Sequence, residues 1–278
     1  MTQDPRKPIL VLGGTGKTGR RIVERLAARG QPVRIGSRSA KPAFDWGDRS
    51  SWPAALDGVR AVYISYYPDL TVPGAKDVIE TLAKLALDMG IRRLVFLSGR
   101  GEEAAQETEE ALKAIGAELT IIRSSWFMQN FSEAALLDPI LAGEMALPVG
   151  EVREPFVDAN DIADVAAAAL TDDRHIGQLY EVTGPRLLTF AEAAGEIAAT
   201  TGRPVQYVRI SSEEFRAGLA AAGLPENLVL LLDELFTHVL DGRNEYLADG
   251  VQRALGRPAR DFSAYVREAA ASGIWNPA

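Results

Sequence analysis

Gly13, Gly16 and Gly19 recur at every third position directly after the apolar run Ile9-Leu10-Val11-Leu12. Glycines at this spacing, between a buried strand and a helix, let backbone N–H groups approach a phosphate at the positive end of the helix. The central Gly16-Lys17-Thr18 also ends as a triphosphate-binding loop ends. That loop requires another glycine five residues before the glycine of its Gly-Lys-Thr, and Val11 stands there. The bend is too short to encircle a triphosphate and suits the pyrophosphate of a dinucleotide. Arg38 refines this. It follows the strand-like run Val33-Arg34-Ile35, and no acidic residue lies between Gly30 and Asp45. A carboxylate there would bind a ribose 2′-hydroxyl, whereas a guanidinium with Ser37 beside it suits a 2′-phosphate. These residues predict NADP(H) over NAD(H).

Positioning them requires strands and helices in alternation, and the chain supplies both. Ala61-Val62-Tyr63-Ile64-Ser65, Arg93 to Ser98 and Leu119 to Ile122 read as buried strands. Between them, Val78, Ile79, Leu82, Leu85, Ala86 and Met89 form a helical stripe ended by Gly90, and a further helix ends near Gly116. The expected fold class is α/β: a Rossmann-like doubly wound parallel sheet, whose ligands sit at the carboxyl ends of the strands. Ser65-Tyr66-Tyr67-Pro68, Ser98-Gly99-Arg100 and Arg123-Ser124-Ser125-Trp126 follow such ends and should line the cleft. Asp158-Ala159-Asn160-Asp161 opens an alanine-rich helix, and Leu179 to Val182 reads as one more strand. Thr189-x-x-Glu192 and Ser211-x-x-Glu214 are capping boxes, with further helices over 225–240 and 264–271. The expected division is 1–183 as the cofactor-binding domain and 184–278 as a smaller, mainly helical C-terminal lobe.

The 278 residues are 47% hydrophobic and 24% charged, an ordinary globular composition. Thirty basic against 38 acidic residues give a net charge of −8, which argues against a broad nucleic-acid surface. With no cysteine, disulfides and thiolate chemistry are excluded, and the two histidines, His175 and His238, lack ligand spacing, so no metal is expected. No apolar stretch is long enough to span a bilayer and MTQDPRKP carries no signal region, so no membrane association and a cytoplasmic location are expected.

GGTGKTGRRI, FDWGD (44–48), AVYIS, LTIIRSSWFMQNFSE (119–133) and PFVDANDIADVAAAAL (155–170) together resemble the NmrA-like group of atypical short-chain dehydrogenases/reductases. With LYEVTGPRLLTFAEAA and LGRPARDF, the chain is similar to the ergot-alkaloid branch that includes festuclavine dehydrogenase. The resemblance implies NADP(H) held by Gly13, Thr15, Gly16, Lys17 and Thr18, with Ser37 and Arg38 at the 2′-phosphate. It places Asp45 and Trp46 beside the adenine, and Ser65, Tyr66 and Ser98 towards the nicotinamide.

One departure bears on chemistry. Dehydrogenases of this class that act on alcohols use Tyr-x-x-x-Lys, the lysine lowering the tyrosine pKa for proton exchange. No tyrosine of this chain has a lysine four residues on. An already electrophilic acceptor, an iminium ion or a quinone, needs less acid assistance, so a reductase of such a small molecule, planar or cationic, is the first reading. A second is NADP(H) binding without turnover, reported to a protein partner in the NmrA manner; a scaffold with a relic site is a third. A homodimer also stays open. Ser98 is the candidate for polarising the substrate. Tyr66, Tyr67, Trp126, Phe127 and Phe156 either line a flat pocket or pack the core, and Asn130 either bonds a ligand or caps a turn. Arg123 is expected to neutralise a carboxylate at the sheet end. Glu102, Glu103, Glu107, Glu109 and Glu110 read as a solvated helix face, and Asp158 and Asp161 as residues that cap or support the helix after VDAND.

Overall fold

The computed structural model describes residues 4–276. In chain order its elements are β1 (Ile9–Leu12), α1 (Lys17–Ala28), β2 (Val33–Gly36), α2 (Trp52–Leu56), β3 (Ala61–Ile64), α3 (Ala75–Asp88), β4 (Arg93–Gly99), α4 (Glu103–Ala114) and β5 (Glu118–Ser124). There follow α5 (Leu137–Ala142), β6 (Glu144–Leu147), α6 (Ala159–Ala169), β7 (Leu179–Val182), α7 (Phe190–Thr201), β8 (Gln206–Arg209), α8 (Ser212–Ala221), α9 (Glu226–Glu234), α10 (Gly250–Leu255) and α11 (Phe262–Ala271). They group into two compact units. One runs through Ser124 and adds Ala159–Val182 and Asp249–Arg257; the other takes Ser125–Asp158, Thr183–Ala248 and the chain from Pro258 on. The boundary expected after residue 183 lies beside one crossing, but the chain also crosses after 124, 158, 248 and 257.

The first unit is a six-stranded sheet in the order β2-β1-β3-β4-β5-β7, and every pairing is parallel. A parallel sheet is covered on both faces, which is why its strands read as unbroken apolar runs; β1 and β3 are buried throughout. Leu10, Leu12, Val62, Ile64, Leu94 and Phe96 face one way and pack with Ile79 and Leu82 of α3 and Leu112 of α4. On the opposite side α1 packs against α6, and Ala159–Ala169 is buried almost all round because small side chains allow close approach. The winding reverses between β1 and β3, and that switch point is where an open α/β sheet leaves a crevice beyond its carboxyl ends.

The second unit has its own core, built around Phe131, Phe156, Phe190, Phe236, Phe262 and Trp275. It also holds a parallel strand pair, β6 with β8, in register from Glu144–Gln206 to Leu147–Arg209. Both capping boxes form, Thr189 with Glu192 and Ser211 with Glu214. The long run ending at Leu240 is α9 followed by a π-helical turn, Leu235–Val239, that buries Phe236 and Val239. No helix among the described residues is long and apolar enough to cross a membrane.

Candidate functional site

The turn after β1 is held by backbone bonds. Gly13 N–H donates to Gly36 C=O (3.1 Å), and Gly16 N–H returns to Gly13 C=O (2.8 Å). Gly13 has φ +65°, a left-handed conformation that favours glycine. A Cβ on Gly19 would lie 2.1 Å from the Gly13 carbonyl, so the third glycine serves the closeness of helix and turn. Helix α1 starts on Gly16 with no side-chain cap and no acidic residue in its first turn. Thr15 and Gly16 are exposed there. Uncapped amides at a positive helix end, with glycine in place of bulk, fit a diphosphate. Thr18 is buried and its Oγ1 accepts the Tyr63 hydroxyl (3.0 Å), which leaves its backbone N–H as the group offered to a ligand. Burial also pushes the Tyr63 phenol up.

At the end of β2 the Ser37 carbonyl accepts N–H bonds from Ala40 (3.2 Å) and Phe44 (2.9 Å), closing the loop on itself. Arg38 projects from this loop, exposed, and its guanidinium has no partner among the described residues. Asp45 is spent on shape: its carboxylate accepts the Gly47 N–H (2.9 Å) and its carbonyl the Trp52 indole N–H (2.8 Å). Trp46 meets Tyr66 edge-on at 4.9 Å and Phe44 at 5.0 Å, tying this loop to the end of β3. Burial raises the Tyr66 phenol. Ser65 lies beside the phosphate turn, its Cβ 3.7 Å from where a Gly13 Cβ would stand, whereas Tyr67 is 75% exposed.

The ends of β4, β5 and β7 carry a charged network that sequence reading missed in part. Ser98 is buried and donates to Glu109 Oε1 (2.6 Å), a bond that competes with the polarising role expected of it. Arg123 Nε donates to the same oxygen (2.9 Å), so Arg123 does neutralise a carboxylate at the sheet end. Arg100 donates to Glu181 (2.6 Å). The expectation of a solvated acidic face is corrected for two members: Glu109 is fully buried and Glu102 partly so, while Glu103, Glu107 and Glu110 are exposed. The signal was present in the spacing. Residues 102 and 109 are seven apart, two helical turns, and share the stripe of Ala105 and Leu112.

Trp126, Phe127, Asn130 and Phe156 belong to the second unit. Phe156, expected at a substrate pocket or in the core, is in the core: 2% exposed, it meets Phe131 at 5.2 Å and Phe190 at 5.1 Å. Trp126 is partly buried against Phe236 (4.7 Å). Phe127 bridges Val157, and the Asn130 N–H donates to the Phe127 carbonyl (3.0 Å) within a 3-10 turn. Asp158 and Asp161, expected to cap or support the helix that follows, stand at the start of α6, Asp161 in its first turn. Asp158 accepts from Gln129 (2.8 Å), and Asp161, in the first unit, pairs with Arg257 (2.8 Å).

A model of the NmrA-like family matches residues 43–262. The chain belongs to the NmrA-like family. It is similar to an NAD(P)H azoreductase of Xenophilus azovorans, 31% identical over 95% of this chain and 98% of the relative. It is also similar to festuclavine dehydrogenase of Aspergillus fumigatus, 28% identical over 89% and 92%. Among solved structures it resembles Citrobacter triphenylmethane reductase complexed with NADP(H), with TM-score 0.75 and 21% identity over 94% of this chain and 99% of that one. An NADPH-dependent quinone oxidoreductase from Escherichia coli in complex with NADPH gives TM-score 0.76, 22% identity and the same coverage. The negative transcriptional regulator NmrA in complex with NADP gives TM-score 0.72 at 15% identity, over 98% and 99%.

Proposed function

We propose that this chain is an NADPH-dependent reductase that delivers hydride to an activated small molecule, an iminium ion or quinone-like acceptor, without a Tyr-x-x-x-Lys dyad. One observation carries the cofactor half of the reading. The uncapped positive end of α1 and the unpartnered guanidinium of Arg38 follow adjacent strands, β1 and β2, where a dinucleotide with an extra phosphate presents its negative charges. The names of the relatives, an NAD(P)H azoreductase and a dehydrogenase of clavine type, support the other half.

When bound, the dinucleotide supplies the hydride; the protein positions it. Gly13, Thr15, Gly16, Lys17 and the Thr18 amide bind the pyrophosphate, and Ser37 with Arg38 selects the 2′-phosphate. Asp45 and Trp46 flank the adenine, with the Trp46–Tyr66 edge contact as a wall. Ser65, Tyr66 and the Ser98 region face the nicotinamide. Tyr67, which follows β3 in the same unit, is the residue we assign to the acceptor.

The reading is tested by titrating NADPH and NADH against the purified chain by fluorescence, then following NADPH oxidation with quinones, cyclic iminium ions, enones and ketones. Turnover with the electrophilic acceptors supports it. A preference for simple ketones overturns the acceptor class, and binding of ATP but of neither dinucleotide overturns the whole. The engagement of the Ser98 hydroxyl by Glu109, with no dyad in the sequence, also favours a second reading, NADP(H) sensing through a protein partner. NADPH binding without turnover across the panel would select it.

A further inference from the structure

A hydride adds charge as well as hydrogen, so reduction of a neutral acceptor also consumes a proton, and the sequence has no Tyr-x-x-x-Lys dyad to supply it. The ends of β3 and β4 offer few titratable groups that are not already engaged. Ser98 donates to Glu109 and Tyr63 to Thr18. Glu102 differs. It stands at the N-cap of α4, but its carboxyl makes no cap bond and has no hydrogen bond or ion pair among the described residues. The carboxyl lies directly over Gly99, the last residue of β4: a Cβ there would be 2.1 and 2.7 Å from its two oxygens. Glycine at 99 is therefore what lets the group reach over the carboxyl end of the strand. That end lies two strands from β1, about 10 Å at ordinary strand spacing, on the side towards which a dinucleotide anchored at the switch point extends.

The charges around it leave it uncompensated. Asp69, in the segment after β3, faces it with like charge. Arg100, two residues before it, is bound to Glu181. On its own helix Glu103 is exposed. Burial first, and Asp69 second, push the Glu102 carboxyl up to about 8, so at neutral pH it holds a proton it can give.

We propose that Glu102 is a catalytic residue, the general acid that protonates a neutral acceptor as it receives hydride. The inference rests on the reductase reading above and deepens it, because it favours quinone-like acceptors over iminium ions, which need no proton. The quinone takes a hydride, with its two electrons, from a dihydronicotinamide, which is oxidised. The Glu102 O–H breaks as a hydroquinone O–H forms, and the carboxylate regains its proton from water.

Two measurements test it. In the whole protein labelled with 13C at the glutamate carboxyl carbons, one resonance should titrate near pH 8 and be missing in Glu102→Gln; titration of that resonance in the ordinary carboxylate range overturns the proposal. With NADPH, Glu102→Gln should lose about 100-fold or more in kcat towards a benzoquinone yet keep its rate towards a cyclic iminium ion. The wild-type benzoquinone rate should fall above pH 8 and the iminium rate should not, a comparison that decides the matter even if the variant fails to fold. Equal loss, or no loss, with both acceptors overturns the general acid alone. Absence of wild-type turnover with either acceptor overturns the reductase reading and this proposal with it.

Discussion

Arg38 and Glu102 are single residues with opposite electrostatic situations, and each yields a measurable consequence. Arg38 is exposed and unpartnered, so its replacement disturbs little but a ligand. In Arg38→Asp, loss of a charge-assisted pair worth about 1.5–3 kcal/mol should raise KM for NADPH at least tenfold and lower it for NADH. Steady-state kinetics with both dinucleotides checks this, and unchanged preference refutes the assignment. For Glu102 the folded carboxyl titrates near 8 against an ordinary 4.5. The folded state thus holds the proton more tightly than the unfolded chain does. The resulting stabilisation is complete below about pH 4.5 and is lost as pH rises through 8. Glu102→Gln cannot ionise, so in scanning calorimetry its Tm should gain on that of wild type as pH rises from about 4.5 to about 8 and keep that gain above it.

The elements explain which residues were legible. Parallel strands buried on both faces leave continuous apolar runs, and so β1, β3, β4 and β5 could be found from Ile9, Ala61, Arg93 and Leu119 onward. The glycine turn was legible for the same reason that Gly19 cannot be replaced: a Cβ there meets the Gly13 carbonyl at 2.1 Å. Gly19→Ala should cost several kcal/mol, and thermal melts should show little added stabilisation by NADPH. The strands β6 and β8 were not legible. Gln206 to Arg209 is nowhere fully buried, so it lacks an apolar run, and its partner is more than 50 residues away. Nor was the inward turn of Glu109 evident from composition, because a carboxylate is buried only when a distant cation meets it, here Arg123 of β5. Arg123→Met leaves that carboxylate buried without its cation and should cost about 3–5 kcal/mol. Ser98→Ala, removing one hydrogen bond, should cost about 1 kcal/mol. Urea denaturation of the two variants separates these outcomes.

At the scale of the molecule, sequence order and spatial grouping part company. Helix α10, from residues 250–255, packs on β7 so closely that a Cβ on Gly250 would lie 2.1 Å from the Glu181 carbonyl. Arg253 reaches back over the Tyr180 ring (5.4 Å), and Arg257 to Asp161. A fragment comprising residues 1–183 therefore lacks part of its own first unit. It should unfold at lower urea than the whole chain, with exposed apolar surface reported by dye binding. Equal midpoints would show that residues 249–257 contribute nothing to that unit. The same threading governs how the protein emerges from a ribosome. Five strands of the main sheet are available once residue 124 has cleared the exit tunnel, yet the covering of β7 awaits residue 257, which at about 5–20 residues per second comes many seconds later. During that interval the nascent sheet carries an uncovered edge, and the polypeptide should depend on chaperones more than a contiguous domain of equal size.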